Sequence, residues 1–405
     1  MSYKSYRSYK SYRSDRLCGL LNNMPEIKNL KKAVKRTLKA VKAKETVVLF
    51  GDADLDGITS TLIVEEALKT LGLQVKKVYF PDREIEGYSL SQKALLKIKS
   101  CAPGLLILFD CGVSNHKELK LADKLGFDLL VLDHHEVVKE VPKTGIIVDV
   151  KQPKDDYPFK NLSTSTLAYV FACGLLGKNL FPKNDESLKE LSALGAIADM
   201  MELADVNQEV VESAFKTIFS SFRVGFQVLR RVVSLKEGTA REFFSQMVGI
   251  LNITEIEHGL TLSYLLLKES NEEKALLLAK KLYFDSEKRR QDITDIANSI
   301  ISMAEERQGS IIFEGSPDYR QYLTGAVASR VCNRVKKPTF IYKLGKEESR
   351  GSVRVPYGVD AVLALKSCSK ILSMFGGHKP AAGFSVLNEN LDAFKTCLEN
   401  HFKSL

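Results

Sequence analysis

The apolar residues of this chain fall into two patterns. Short, mainly apolar and often β-branched blocks occupy 46–50, 75–80 (interrupted by Lys76-Lys77), 105–109, 129–132 and 146–150 (interrupted by Asp149). Between them lie longer stretches, 58–71, 89–99 and 115–125, where apolar positions recur every three or four residues. Blocks with no polar face predict strands buried on both sides. Their alternation with helical stretches predicts a mostly parallel, doubly wound α/β sheet. Residues 163–235 predict mainly helix, and 272–307 a long helix rich in Lys, Glu and Arg.

A second, smaller α/β pattern begins near Ser310. Strands are predicted at 311–314, 339–344, 352–355 and 384–386, and helices at 325–335, at 360–369 and at the end of the chain. The first sixteen residues differ from both. Ser-Tyr-Lys and Ser-Tyr-Arg triplets alternate there without an aliphatic residue, which predicts a disordered basic tail. Residues 31–44 space Val34, Leu38 and Val41 at helical intervals among lysines, predicting a basic amphipathic helix. The expected organisation is a tail (1–16), an α/β catalytic domain (17–230), a helical connector (231–305) and a substrate-binding α/β domain (306–405).

Composition narrows the class. With 405 residues, 44% hydrophobic and 27% charged, the chain is globular and long enough for two or three domains. No apolar run approaches the roughly 18 residues of a membrane span, and no signal-peptide pattern opens the chain. The seven cysteines are odd in number and scattered, with no Cys-x-x-Cys pair. That speaks against a disulfide scaffold and a thiolate zinc site, and suits a cytoplasmic location. Lys and Arg outnumber acids 59 to 50, a balance of +9 that permits a polyanionic partner.

The chemistry collects where the predicted strands end. The first block runs into Asp52-Ala53-Asp54-Leu55-Asp56-Gly57, the third into Asp110, the fourth into Asp133-His134-His135. In open α/β sheets the carboxyl ends of the strands form the binding crevice. Aspartates gathered there repel one another unless cations neutralise them. Carboxylates mixed with imidazole suit Mn²⁺ or Mg²⁺, and a pair of such ions about 3.5–4 Å apart is suited to phosphate-ester hydrolysis. Asp-x-Asp-x-Asp-Gly also begins an EF-hand loop. That loop needs Glu at its twelfth position, which is Ile63 here, and a preceding helix, where this sequence predicts a strand.

These residues resemble the DHH phosphoesterase family. Asp133-His134-His135 is similar to the signature that names it, and Asp52 to Gly57 to its first motif. Asp110 is similar to the second motif, and the stretch from Ala193 to Asp199 to the fourth. The stretch from Phe375 to Phe384, with Gly376-Gly377-His378, resembles the Gly-Gly-His motif of the DHH-associated domain. Within the family the likeness is greatest to the RecJ single-strand exonuclease branch. It is carried by Pro81-Asp82-Arg83, Glu86-Gly87-Tyr88, the stretch from Tyr157 to Leu162, residues 325–334 and Gly351-Ser352-Val353-Arg354.

The resemblance implies a two-metal (Mn²⁺ or Mg²⁺) phosphodiesterase, with 5′-to-3′ hydrolysis of single-stranded DNA as its leading activity. It implies Asp54, Asp56, Asp110, His134 and Asp199 as metal ligands, with Asp110 bridging. Asp52 would be a ligand or an anchor behind one. Asp133 would orient the histidines, and His135 would contact the scissile phosphate or a metal. Arg354, Gly376, Gly377 and His378 would hold a substrate phosphate. The sequence departs from the branch before Gly325, where Pro317 to Tyr322 replaces a Trp-His-Pro-Gly stretch, and in the connector, where a basic motif is reduced to Gly249 to Thr254. Both departures concern substrate grip. A short-oligonucleotide nuclease, a cyclic dinucleotide phosphodiesterase, a pyrophosphatase or a non-catalytic replication scaffold of the same fold are the alternatives.

Overall fold

The computed structural model describes residues 26–403, apart from residues 84, 88, 138–139, 181–184, 234–237, 253–254 and 307–308. The Ser-Tyr-Lys/Arg tail lies outside the described residues. The chain divides into two compact units between Phe284 and Asp285.

The first unit opens on α1 (Leu30–Ala43). It then runs β1 (Val47–Gly51), α2 (Leu55–Thr70), β2 (Lys77–Tyr79), α3 (Gln92–Ile98), β3 (Gly104–Phe109), α4 (His116–Lys124), β4 (Phe127–Leu132) and β5 (Ile146–Val148). Helices follow: α5 (Thr164–Leu180), α6 (Asp185–Ala198), α7 (Asp205–Thr217), α8 (Val224–Val232) and α9 (Ala240–Leu251). A hairpin of β6 (Ile256–Glu257) and β7 (Leu260–Thr261) leads to α10 (Leu262–Lys268) and to the long α11 (Glu272–Glu306), within which the two units divide.

The five strands of the main sheet pair in parallel, in the order β2-β1-β3-β4-β5. Their side chains alternate between two cores, as the strand period requires. Val47, Leu49, Leu105, Ile107, Leu130 and Leu132 face a large core with α1, α2, α5 and α6. Val48, Phe50, Leu106, Leu108, Leu129 and Val131 face a smaller one with α3 and α4. The strands are almost wholly apolar because each face is covered; the exceptions, Lys77 of β2 and Asp128 of β4, lie where those strands begin. Phe243, Phe244, Leu262 and Leu266, from the stretch read as connector, pack within the large core.

The chain leaves β1 to one side to form β2 and returns to the other side to form β3. The order therefore switches between β1 and β3, which opens a crevice at their carboxyl ends. Helix α2 begins at Leu55, three residues earlier than its periodicity predicts, because Asp54 caps it by accepting the Gly57 N–H at 3.1 Å. The triple-Asp motif therefore straddles a strand end and a helix start.

The second unit contains β8 (Ile312–Ser316), α12 (Thr324–Val335), β9 (Thr339–Lys343), β10 (Glu348–Arg354), α13 (Ala361–Ser367), β11 (Leu372–His378), β12 (Ala381–Leu387) and α14 (Leu391–Lys403). Its sheet is mixed, in the order β11-β12-β10-β9-β8, with only β8 and β9 parallel. Phe340, Phe384 and Phe394 fill its core.

Two strands differ from expectation here. No strand is predicted over the stretch of β11, yet it forms an exposed edge strand. Its glycines and its single half-buried face give no alternation to read. Strand β10 starts four residues early because Ser349 and Gly351, rather than apolar residues, point inward. The cysteines bring a correction too. Cys368 and Cys397 form a disulfide, 29 positions apart in sequence with Cα atoms 6.0 Å apart. The described cysteines Cys101, Cys111, Cys173 and Cys332 are free and buried. Among the described residues, no helix is long and apolar enough to cross a membrane.

Candidate metal centre

Three parallel strands deliver carboxylates from their carboxyl ends to one edge. Asp52 follows β1, Asp110 follows β3, and Asp133-His134-His135 follows β4. Asp54 and Asp56 come from the cap and first turn of α2, and Asp199 from the end of α6. Potential ligand atoms gather in three groups, in each of which all lie within 4.8 Å of one another: Asp52, Asp54 and Asp110; Asp110, His134 and His135; Asp56, His134 and Asp199. Asp110 belongs to two of them, as does His134.

The supporting hydrogen bonds are nearly all buried. Asp56 accepts the Thr164 N–H on Oδ2 at 2.7 Å and the Ser165 N–H on Oδ1 at 3.0 Å. These are free donors at the start of α5, so the helix N-terminus holds the carboxylate. The Thr164 hydroxyl donates to Asp110 Oδ1 at 3.0 Å. His134 Nδ1 lies 3.2 Å from the Leu162 carbonyl, which can only accept, so Nδ1 carries the proton. Its Nε2 then faces Asp110 at 3.3 Å and Asp199 at 3.5 Å with a lone pair free to ligate.

Asp133 is fully buried and does not join the clusters. Its Oδ1 accepts from the His134 N–H, the His135 N–H and His135 Nδ1, the last at 2.7 Å, and its Oδ2 accepts the Val113 N–H at 3.0 Å. It holds the His135 ring and the main chain of both histidines. His135 is exposed at the crevice. Partial desolvation by the crevice walls lowers its pKa, but the Asp133 hydrogen bond and charge, with Asp110, outweigh that and raise it to about 9.

The carboxylates behave as a site built for cations. Burial pushes Asp110 well above the usual range, and Asp54 and Asp56 push it further. Burial likewise raises Asp52 and Asp199 to about 6. Asp56 is also raised, chiefly by burial. Charge of one sign in so small a volume is stable only when neutralised. Asp110 also adopts φ +60°, a left-handed conformation that costs about 1 kcal/mol or more for an ordinary residue. The fold holds strain at the one aspartate shared by two of the groups. This donor set, hard oxygens with imidazole, fits Mn²⁺ or Mg²⁺.

Sequence reasoning missed some of the machinery. Arg83 donates to both oxygens of Asp52, at 3.1 and 2.7 Å, and to Asp54 at 2.9 Å. Pro81-Asp82-Arg83 reads as a family motif, but nothing in it points to partners 31 and 29 positions away. Thr164 and Ser165 carry no signal of their own in the sequence. Tyr88, from the same family stretch as Glu86 and Gly87, lies outside the described residues.

The remaining predicted residues are in the second unit. Arg354 ends β10 and His378 ends β11, and both are in register with Ala381 of β12. They therefore stand at one level of the sheet, about 10 Å apart by strand spacing. Arg354 lies against the start of α12: a β-carbon on Gly325 would sit 3.0 Å from its Nη2. A guanidinium beside free helix N–H groups is a ready anion seat. Gly377 has φ +145°, and a β-carbon there would stand 2.5 Å from Ala382 Cα, so strand pairing demands this glycine. A β-carbon on Gly376 would meet nothing within 4 Å.

These two units define an α/β protein with an Asp/His cation centre on a parallel sheet, and with a smaller mixed-sheet domain. Residues 46–201 match the DHH family, N-terminal domain. It is 31% identical over 383 residues to the single-stranded-DNA-specific exonuclease RecJ of Bacillus subtilis, covering 92% of this chain and 48% of that one. It is 29% identical to the RecJ of Thermus thermophilus, covering 92% and 54%. The chain thus spans about half the length of these curated relatives. A crystal structure of exonuclease RecJ bound to manganese superposes with TM-score 0.78 at 25% identity, covering 94% of this chain and 96% of that one.

Proposed function

We propose that this protein is a cation-dependent phosphodiesterase that degrades single-stranded DNA from its 5′ end, acting in the cytoplasm. The observation that carries the reading is the sharing of Asp110 between the Asp52/Asp54 group and the His134/His135 group. One carboxylate within reach of both groups is what two adjacent cations require. The manganese in the similar RecJ structure supports the same choice of ion.

Asp54, Asp56, Asp110, His134 and Asp199 would hold the ions, with Asp52 clamped by Arg83 behind them. When bound, the pair would neutralise the scissile phosphate and make a water acidic enough to attack it. Asp133 fixes His134 and His135. His135, held by Asp133 through Nδ1 and exposed, stands at the crevice mouth where a phosphate oxygen can be received. Arg354 and His378 would hold a second phosphate of the strand, with the Gly376-Gly377 edge beside it. In this reading residues 17–230 are the catalytic domain, 231–305 the connector and 306–405 the substrate-binding domain.

The test is hydrolysis with Mn²⁺, wild type beside Asp110→Ala. The substrates are end-labelled single-stranded DNA, the same strand as RNA, and a 5′-phosphorylated dinucleotide. Stepwise release of mononucleotides from the 5′ end of the DNA, absent in the variant, is expected. Cleavage of the dinucleotide alone would move the protein to the short-oligonucleotide alternative. Activity surviving in the variant would overturn the shared-ligand assignment.

A further inference from the structure

The metal centre makes no use of the charge on α1. Of residues 28–44, eight are Lys or Arg and none is Asp or Glu. The helix docks through Leu30, Ala33, Thr37 and Ala40, all buried. Arg36 is spent on the fold, bound to Asp128 and to Glu45. Lys31, Lys35, Lys39 and Lys42 are exposed. At offsets of four, eight and eleven residues they occupy an arc of about 80° along about 17 Å of helix. Lys31 pairs with Glu26, and among the described residues Lys35, Lys39 and Lys42 have no acidic partner.

The position of this ladder is specific. Its start is tied to the edge that carries the metal centre: Asn29 Nδ2 donates to the Ile147 carbonyl of β5 at 2.7 Å, and Lys28 Nζ to the Pro153 carbonyl just beyond, at 2.7 Å. Its middle is tied towards the opposite edge, through Arg36 and Asp128 at the start of β4, and its end leads within four residues into the start of β1. The helix therefore runs down the flank of the first unit beside its last strand. An exposed helix face that carries no carboxylate of its own beyond the Lys31–Glu26 pair at its start, leading away from a phosphodiester-cleaving edge, complements a phosphate backbone. Lysine ammoniums on flexible stems grip charge without reading bases.

We propose that the exposed lysines of α1 form a second, sequence-independent contact for single-stranded nucleic acid on the flank of the first unit. This rests on the nuclease reading and adds how a long strand is held beyond the catalytic centre. The triple variant K35Q/K39Q/K42Q tests it. A control triple, K117Q/K120Q/K124Q, removes the same charge from exposed positions on α4.

Anisotropy of a labelled long oligothymidylate is followed in EDTA from about 50 to about 200 mM salt, the range over which binding to phosphates weakens most visibly. The α1 variant should bind more weakly at low salt. Its log–log salt slope should be shallower by about 2, at roughly 0.7 for each phosphate that a lysine no longer neutralises. The control should bind like wild type, and both variants should cleave the 5′-phosphorylated dinucleotide like wild type with Mn²⁺. An unchanged slope in the α1 triple, or equal shifts in both triples, overturns the ladder and leaves the nuclease reading standing. Loss of binding to phosphatidylserine vesicles with strand affinity intact would likewise overturn it, assigning the face to a membrane. A wild-type protein with no affinity for the strand would overturn both readings.

Discussion

Gly195 lies directly against the carboxylate of Asp56: a β-carbon at residue 195 would stand 2.7 Å from Asp56 Oδ1. It would also stand 2.4 Å from Ser165 Oγ and 2.5 Å from Thr59 Oγ1. Helices α2, α5 and α6 meet here, and only a residue without a side chain lets them come so near. The Ala-Leu-Gly-Ala-Ile-Ala-Asp stretch thus does two jobs. Asp199 reaches the cation centre from its end, and Gly195 leaves Asp56 the room to be gripped by two backbone N–H groups. Gly195→Ala should destabilise the protein by about 1–3 kcal/mol through overpacking. Displacing Asp56 should also lower Mn²⁺-dependent hydrolysis on the order of a hundredfold, as small misplacements at reacting centres do. Thermal melts would check the first, and Mn²⁺ titrations beside hydrolysis rates the second. Unchanged Mn²⁺ affinity would show that Asp56 does not depend on this glycine.

Asp149 offers a test away from the ligands. It follows β5 and is fully buried. Its Oδ1 accepts the Lys151 N–H at 2.7 Å, while its Oδ2 has no hydrogen-bond partner. Burial raises its pKa to about 7, with the nearby charge of Asp133 adding to the effect. The folded state therefore holds a proton that the unfolded chain releases near pH 4. Stability should fall as pH rises through that window and level off above about 7. Asp149→Asn keeps the accepting oxygen and removes the charge. The variant should melt above wild type at pH 8, by on the order of 2 kcal/mol, and converge with it at pH 4. Metal-free melts across pH would decide, and parallel curves would show that Asp149 does not carry this dependence.

The acidic cluster is legible in the sequence because it sits where an apolar block stops. The carboxyl-terminal halves of these strands, buried on both faces, hold no polar residue, so the first carboxylate after Phe50, Phe109 or Leu132 marks both a strand end and a site. The partners of these carboxylates are not legible. Arg83 meets Asp52, and Thr164 meets Asp56 108 positions away, only because parallel crossovers bring loops and helix starts to one edge. No period or composition encodes that pairing. In the second unit the edge strand β11 escapes reading for the opposite reason. Its Gly-Gly-His end stands out as chemistry, and chemistry-bearing residues obscure the strand that carries them.

Arg83 should show its role most clearly in the absence of metal. It is largely enclosed between Asp52 and Asp54, and its charge offsets burial of both. Arg83→Gln should lower the melting temperature in EDTA, since removing one partner of a buried pair costs about 3–5 kcal/mol before relaxation. Mn²⁺ should restore part of the loss, because a cation can then compensate the same carboxylates. Equal destabilisation with and without Mn²⁺ would mean that Arg83 and the metal act on separate charges.

His378 separates substrate grip from cation binding. It ends an exposed strand of the second unit, in register with Ala381 and level with Arg354, and no acidic ligand candidate belongs to that sheet level. If this pair seats a phosphate, His378→Ala should raise KM about tenfold, the loss expected for one charge-assisted hydrogen bond. Mn²⁺ affinity should not change, because every carboxylate of the cation clusters comes from the first unit. Isothermal titration with Mn²⁺ beside steady-state kinetics on labelled DNA would read the two separately. A weakened metal affinity alongside the raised KM would argue that His378 reaches the cations, and would withdraw the phosphate seat from β11.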